Sequence, residues 1–195
     1  MQKEPFNKDD IKFIETSEII IRKNKLVKSL FNELSLVREE LNKILHKEPF
    51  QGLKIQEGKI SKGENYHGLP YLVLDHPAFF KKDNILAMRT IIWWGNYYSF
   101  NFLLKGKPLN LYKGNLLVNY KKFKGDFVYI GKSPWIHDLD KSYQEVQTLD
   151  EIVFQEQLIK NKFYKLVRKR PLSDLNNLRK NAVEFYKMVN KYILD

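Results

Sequence analysis

The chain contains no cysteine, which excludes disulfides, thiol catalysis and any thiolate-held zinc or iron–sulfur site. Histidine, aspartate and glutamate remain as the strong metal ligands, and an intracellular, cytoplasmic address fits a disulfide-free chain best. Long apolar runs are also missing. The longest stretch without a charge, Thr90 to Leu104, has 15 residues, short of the ~18 to 20 that a membrane helix needs, and Gly95-Asn96 interrupts it. The opening residues, Met1-Gln-Lys-Glu-Pro-Phe-Asn-Lys-Asp-Asp10, are polar where a signal peptide requires an apolar core. Neither membrane insertion nor secretion by that route is expected. Negative charge is in short supply: 34 Lys and Arg face 23 Asp and Glu, a net charge of +11. Such a surplus attracts nucleic acid or an acidic protein, and it also serves solubility alone.

What the chain does have is an apolar, aromatic middle. Its 195 residues suit one domain over 1–195, and 43% hydrophobic content with 14% aromatic residues supplies enough apolar surface to offset chain entropy. From Tyr71 to Leu104 the sequence reads as core strands. Gly95-Asn96 is a two-residue hairpin signal, because both residues tolerate the positive φ of a primed turn. After it Tyr98, Phe100, Phe102 and Leu104 alternate with Ser99, Asn101 and Leu103; before it Ile91 to Trp94 are apolar on both faces, as in a covered central strand. A further strand is expected at 126–131, giving an antiparallel meander of about four.

Helices surround that meander. From Thr16 to Leu45 apolar residues recur at spacings of three and four, which predicts one long amphipathic helix ended by Pro49, with His46 and Lys47 complementing its dipole. About 30 residues at 1.5 Å each reach ~45 Å, longer than a small sheet, so a homodimer built on the projecting part is a possible assembly. Leu109 to Phe123 leans towards helix. Periodicity then predicts helices at 149–167 and 172–195, joined as a C-terminal hairpin by Arg170-Pro171. The expected fold is therefore α+β: a small antiparallel sheet against a long N-terminal helix and a C-terminal helical hairpin.

Chemistry is harder to find. Gly131-Lys-Ser133 ends like a phosphate-binding loop, but the glycine that pattern needs five residues earlier is Asp126, and no G-x-S-x-G elbow occurs. No catalytic motif and no cofactor is indicated. His67, His76 and His137 fall in expected loops, with Asp75, Asp138 and Asp140 nearby; two histidines and a carboxylate suffice for zinc or iron if the fold gathers them. Arg89 sits within the central strand and Glu156 within the apolar stripe of a helix, so the two are expected to pair, either as a structural ion pair or beneath a pocket. The loops Glu64 to Pro70 and Ser133 to Asp140, carrying Tyr66, His67 and Trp135, are where a ligand site is expected. Finally, Lys160 to Arg170 holds six cations and no anion. On a helix Lys162, Lys165 and Lys169, with Arg170, would form a ridge able to track phosphates. The expectation is a non-catalytic binding or interaction domain, with nucleic-acid binding or metal-dependent catalysis as the alternatives.

Overall fold

The structure, a computed structural model, describes residues 5–45, 50, 52–139, 142–160 and 162–195. Helix α1 (Lys8–Glu15) opens on a reciprocal cap: the Asn7 side chain accepts from the Asp10 N–H at 2.9 Å, and the Asp10 carboxylate accepts from the Asn7 N–H at 2.9 Å. Thr16 separates it from α2 (Ser17–Ile44), the long helix that the periodicity predicts. Its C-terminal half is seated through Leu34, Val37 and Leu41, whereas Ile19, Ile20, Ile21 and Leu26 are exposed. The helix-ending roles of His46, Lys47 and Pro49 lie outside the described residues.

Among the described residues seven strands form one antiparallel sheet: β1 (Lys59–Tyr66), β2 (Leu69–Lys81), β3 (Asn84–Trp93), β4 (Tyr97–Lys105), β5 (Phe127–Tyr129), β6 (Tyr143–Glu145) and β7 (Phe163–Pro171), in the order β1-β2-β3-β4-β7-β5-β6. This overturns the expected meander of about four strands. Polar β1 is an edge strand, whose residues carry no apolar alternation to betray it. Strand β2 continues through Asp75-His76-Pro77, because a register shift between Asp75 and Ala78 accommodates a residue that cannot donate to the ladder. The turns differ too. His67 and Gly68 (φ 51° and 78°) make the β1–β2 turn, and Trp93 pairs with Tyr97, leaving a three-residue loop with Gly95 at φ 71°.

The largest correction is β7. Phe163, Leu166 and Val167 fit a helical stripe, yet Phe163–Pro171 is a strand paired between β4 and β5, with every residue from Phe163 to Arg168 buried. A strand covered on both faces has no apolar period of two, so its sequence is ambiguous with a helix. The basic C-terminal helix read from Lys160 to Arg170 does not exist. Helix α4 (Glu151–Lys160) precedes β7 and α5 (Leu178–Val189), prolonged by a π turn at Asn190–Leu194, follows the 3-10 segment Leu172–Asn177, so the two C-terminal helices are present but separated by a strand. With α3 (Lys107–Asn119) and α2 they cover one face, over a continuous core that includes Leu74, Leu86, Ile92, Phe100, Phe102 and Tyr164. Asp126 and Arg168 are buried against each other there, with two hydrogen bonds of 2.8 and 2.7 Å. The other face carries Val73, Ile91, Trp93 and Tyr97 and lies under the β5–β6 connection. No helix among the described residues is long and apolar enough to cross a membrane.

Candidate functional site

A cavity of about 290 Å³ opens on that second face, between the sheet and the β5–β6 loop. The alternation of β3 turns Arg89, Ile91 and Trp93 into it, while Thr90 and Ile92 point to the helices; Val73 from β2 and Tyr97 and Ser99 from β4 complete the floor. Ser61 and Tyr66 enter from β1, Trp135 and His137 from the loop above. Tyr71 forms a wall by lying across β1 at Gly63, where a Cβ would stand 2.4 Å from its ring. Glycine at 63 is what makes room for that wall.

Three tyrosine hydroxyls hold the loop. The Tyr66 hydroxyl donates to Asp138 Oδ1 at 2.7 Å and accepts from the His137 and Asp138 N–H groups. Tyr97 donates to the His137 carbonyl at 2.7 Å and accepts from the Leu139 N–H at 3.0 Å, and Tyr143 donates to the Ile136 carbonyl at 2.6 Å. The Trp93 indole N–H donates to the Tyr66 carbonyl at 3.2 Å. These polar ends are therefore engaged in scaffolding, and the rings present faces and edges to the cavity. Their mutual angles of 73° for Tyr66 with Trp93 and 83° for Trp93 with Tyr97 are the edge-to-face arrangement that aromatic quadrupoles favour. Burial pushes the Tyr97 hydroxyl up to about 12, so it stays a neutral donor at any ordinary pH.

Arg89 supplies the cavity's charge. Its Nε and Nη2 donate to Asp75 Oδ1 and Oδ2 at 2.6 and 3.0 Å, a bidentate pair, and its guanidinium carbon lies 4.9 Å over the Trp135 ring. The remaining nitrogen, Nη1, stands 3.3 Å from His137 Nε2. Behind His137, its Nδ1 is 3.3 Å from Lys165 Nζ, which also donates to the Tyr143 hydroxyl at 2.7 Å and to the Ile136 carbonyl. Burial, reinforced by the Lys165 and Arg89 charges, holds His137 down to about 2, so the ring is neutral. Burial, with the Arg89 charge adding to it, lowers Lys165 to about 7.

Of the residues singled out in the sequence, Arg89, Tyr66, Trp135 and His137 come together in the cavity lining, and Asp75 stands behind as the Arg89 partner. His67 is exposed beside it, 3.7 Å from Asp138 Oδ2. Glu156 is elsewhere. It is exposed on α4 beside a shallow hollow lined with Lys132 and Lys160, so the expected Arg89–Glu156 pair gives way to Arg89–Asp75. On the short α4 the buried positions are Phe154, Gln157 and Leu158, which turns Glu156 outward.

The three histidines do not converge. His76 faces the helices, where its Nε2 meets Asn42 Oδ1 of α2 at 2.8 Å, and no set of three metal-ligating side chains occurs among the described residues. Asp140 lies outside them. The expected cationic ridge is also dispersed: Lys165 is buried, Lys169 lies 4.5 Å over the Tyr97 ring, Lys162 sits in the turn before β7 with φ 54°, and Arg170 points to the opposite side of the strand from Lys165 and Lys169. Sequence reasoning missed Tyr71 and Trp93 as lining residues. Once β2 and β3 are paired, their odd-numbered positions from Tyr71 to Val73 and from Arg89 to Trp93 fall on one face, and that register was the signal. Comparison with protein-family models, with curated proteins and with solved structures gives no match.

Proposed function

We propose that the chain is a binding domain for a small, flat, ring-bearing molecule, held in the cavity under the β5–β6 loop. The observation that supports this most is the composition of the lining. Tyr66, Tyr71, Trp93, Tyr97 and Trp135 surround a cavity of about 290 Å³ whose fixed charge is a single guanidinium. Aromatic walls with a few placed polar groups are the usual make-up of a small-molecule site. Ring faces take a planar apolar ligand by offset or edge contacts, and a guanidinium already ordered by Asp75 and Trp135 can bind an acceptor with little further loss of side-chain freedom.

Calorimetric titration with 2-naphthoate, a two-ring carboxylate, tests this. Binding in the micromolar to millimolar range is expected, weakened at least about tenfold by Arg89→Met and removed by Ser61→Trp, which blocks the rim from an exposed edge position. Folding of each variant is checked by its near-ultraviolet circular dichroism. Unchanged binding in both variants would show that the probe sits elsewhere, and absence of heat at about 10 mM probe would overturn the reading.

A further inference from the structure

His137 stands between two cationic donors, and a neutral imidazole has one lone pair to offer them. Arg89 Nη1 lies 3.3 Å from its Nε2 and Lys165 Nζ lies 3.3 Å from its Nδ1. If Nε2 accepts from the guanidinium, Nδ1 carries the hydrogen and points at Lys165, which can accept it only as a neutral amine. If Lys165 is an ammonium donating into Nδ1, the hydrogen is on Nε2 and faces an Arg89 N–H, donor against donor. The guanidinium keeps its proton in proteins, so the lysine is the partner that yields. This arrangement of donors thus favours a neutral Lys165, whose two hydrogens go to Ile136 O and Tyr143 Oη and whose lone pair accepts from His137. A guanidinium nearby and deep burial both act in that direction, lowering the lysine to about 7.

We infer that the ligand carries an oxyanion which seats between Arg89 Nη1 and His137 Nε2, and that its binding is coupled to uptake of one proton by Lys165. This rests on the reading of the cavity as a ligand pocket. An oxygen about 2.9 Å from each nitrogen accepts from both. It turns the Nε2–H from a clash into a hydrogen bond, and this releases Nδ1 to accept from Lys165. The Nδ1–H passes its proton to the lone pair of Lys165 while Nε2 gains one proton from solvent; one N–H bond breaks, two form, and the added lysine charge is balanced by the incoming anion. The other groups facing the relay are Asp75 on Arg89, the Tyr66 and Tyr97 hydroxyls on the loop backbone, the Tyr129 and Tyr143 rings, whose centroids lie 5.3 Å from Lys165 Nζ, and Asp138, whose charge favours the protonated lysine. Burial raises Tyr97 to about 12, and burial also raises Tyr66 and Tyr143, so the hydroxyls do not compete for the proton near neutrality. His67 lies beyond Asp138 at the exposed rim.

The test is titration of the full chain with 2-naphthoate at pH 8 in Tris and in triethanolamine, buffers that differ in protonation enthalpy and carry no anion of their own. The carboxylate of the probe is ionised throughout this range, so any proton taken up belongs to the protein. Uptake approaching one proton is expected, with affinity falling towards tenfold per pH unit between pH 7.5 and 9. Neutral 2-naphthamide should bind without uptake, and Lys165→Met should bind the acid with none. Binding of 2-naphthoate with buffer-independent heat overturns the proton coupling and leaves the pocket standing. Uptake that persists in Lys165→Met overturns the assignment to that lysine. Failure of both probes to bind overturns the pocket reading itself. Should Lys165→Met not fold, the buffer dependence of the unaltered chain decides alone.

Discussion

Single side chains in this protein carry charge states that their neighbours dictate, and His76 gives the simplest case. It is buried against α2, its Nε2 on Asn42, with Gly58 close enough that a Cβ there would meet its ring at 2.6 Å. Burial, with the Arg38 charge adding to it, lowers it to about 4. Between pH 6.5 and about 4 the unfolded chain therefore binds a proton that the folded chain refuses, so stability falls as pH falls through that window and levels off below it. The expected loss by pH 4 is up to about 3 kcal/mol from this group. Urea unfolding across that range checks it: His76→Gln, which can keep the bond to Asn42, should flatten the profile, and an unchanged slope would refute the assignment. None of this was legible beforehand, because Asp75-His-Pro reads equally well as a turn. Arg89 was legible as special, being a cation within an apolar strand. Its partner was not, since Asp75 becomes its neighbour only when β2 and β3 pair in register.

Secondary-structure elements differ in how much of themselves they declare. Helix α2 and the β3–β4 pair do so through long runs of unbroken period, and the structure places both close to where the sequence puts them. Strand β7 conceals itself, since burial on both faces removes alternation and leaves Lys165 and Arg168 as polar residues that only partners on other strands and loops explain. Strand β1 conceals itself for the opposite reason, being a polar edge. That edge nevertheless shapes the cavity through Gly63. Placing a methyl at 63 drives into the Tyr71 ring, so Gly63→Ala should shift that wall and cost about 1 to 3 kcal/mol, with 2-naphthoate binding weakened. Equilibrium unfolding and calorimetry on the same preparation measure both effects, and a variant with unaltered stability and affinity would show that the wall is not held there.

At the scale of the molecule, one sheet separates two environments. Its helix-covered face is a continuous apolar core, while the opposite face supports a loop pinned by tyrosine hydroxyls over a ring-lined cavity. The run of six cations from Lys160 to Arg170 suggested a cationic ridge, yet the residues expected to form it are distributed over a turn, a buried position and both sides of β7. Of the two segments read as loops, Glu64 to Pro70 is instead the end of β1, its two-residue turn and the start of β2, and it reaches the cavity through Tyr66; the described part of the other, 133–139, reaches it through Trp135 and His137. Three tryptophans report on this geometry without any substitution. Trp93 and Trp135 line the cavity, whereas Trp94 lies in the hairpin loop beside Leu26, Leu30 and Leu172. In a nitrogen–proton correlation spectrum, addition of 2-naphthoate should move the indole signals of Trp93 and Trp135 and leave that of Trp94 in place. Movement of Trp94 alone, or of none of the three under conditions where the probe binds, would contradict a ligand site under the β5–β6 loop.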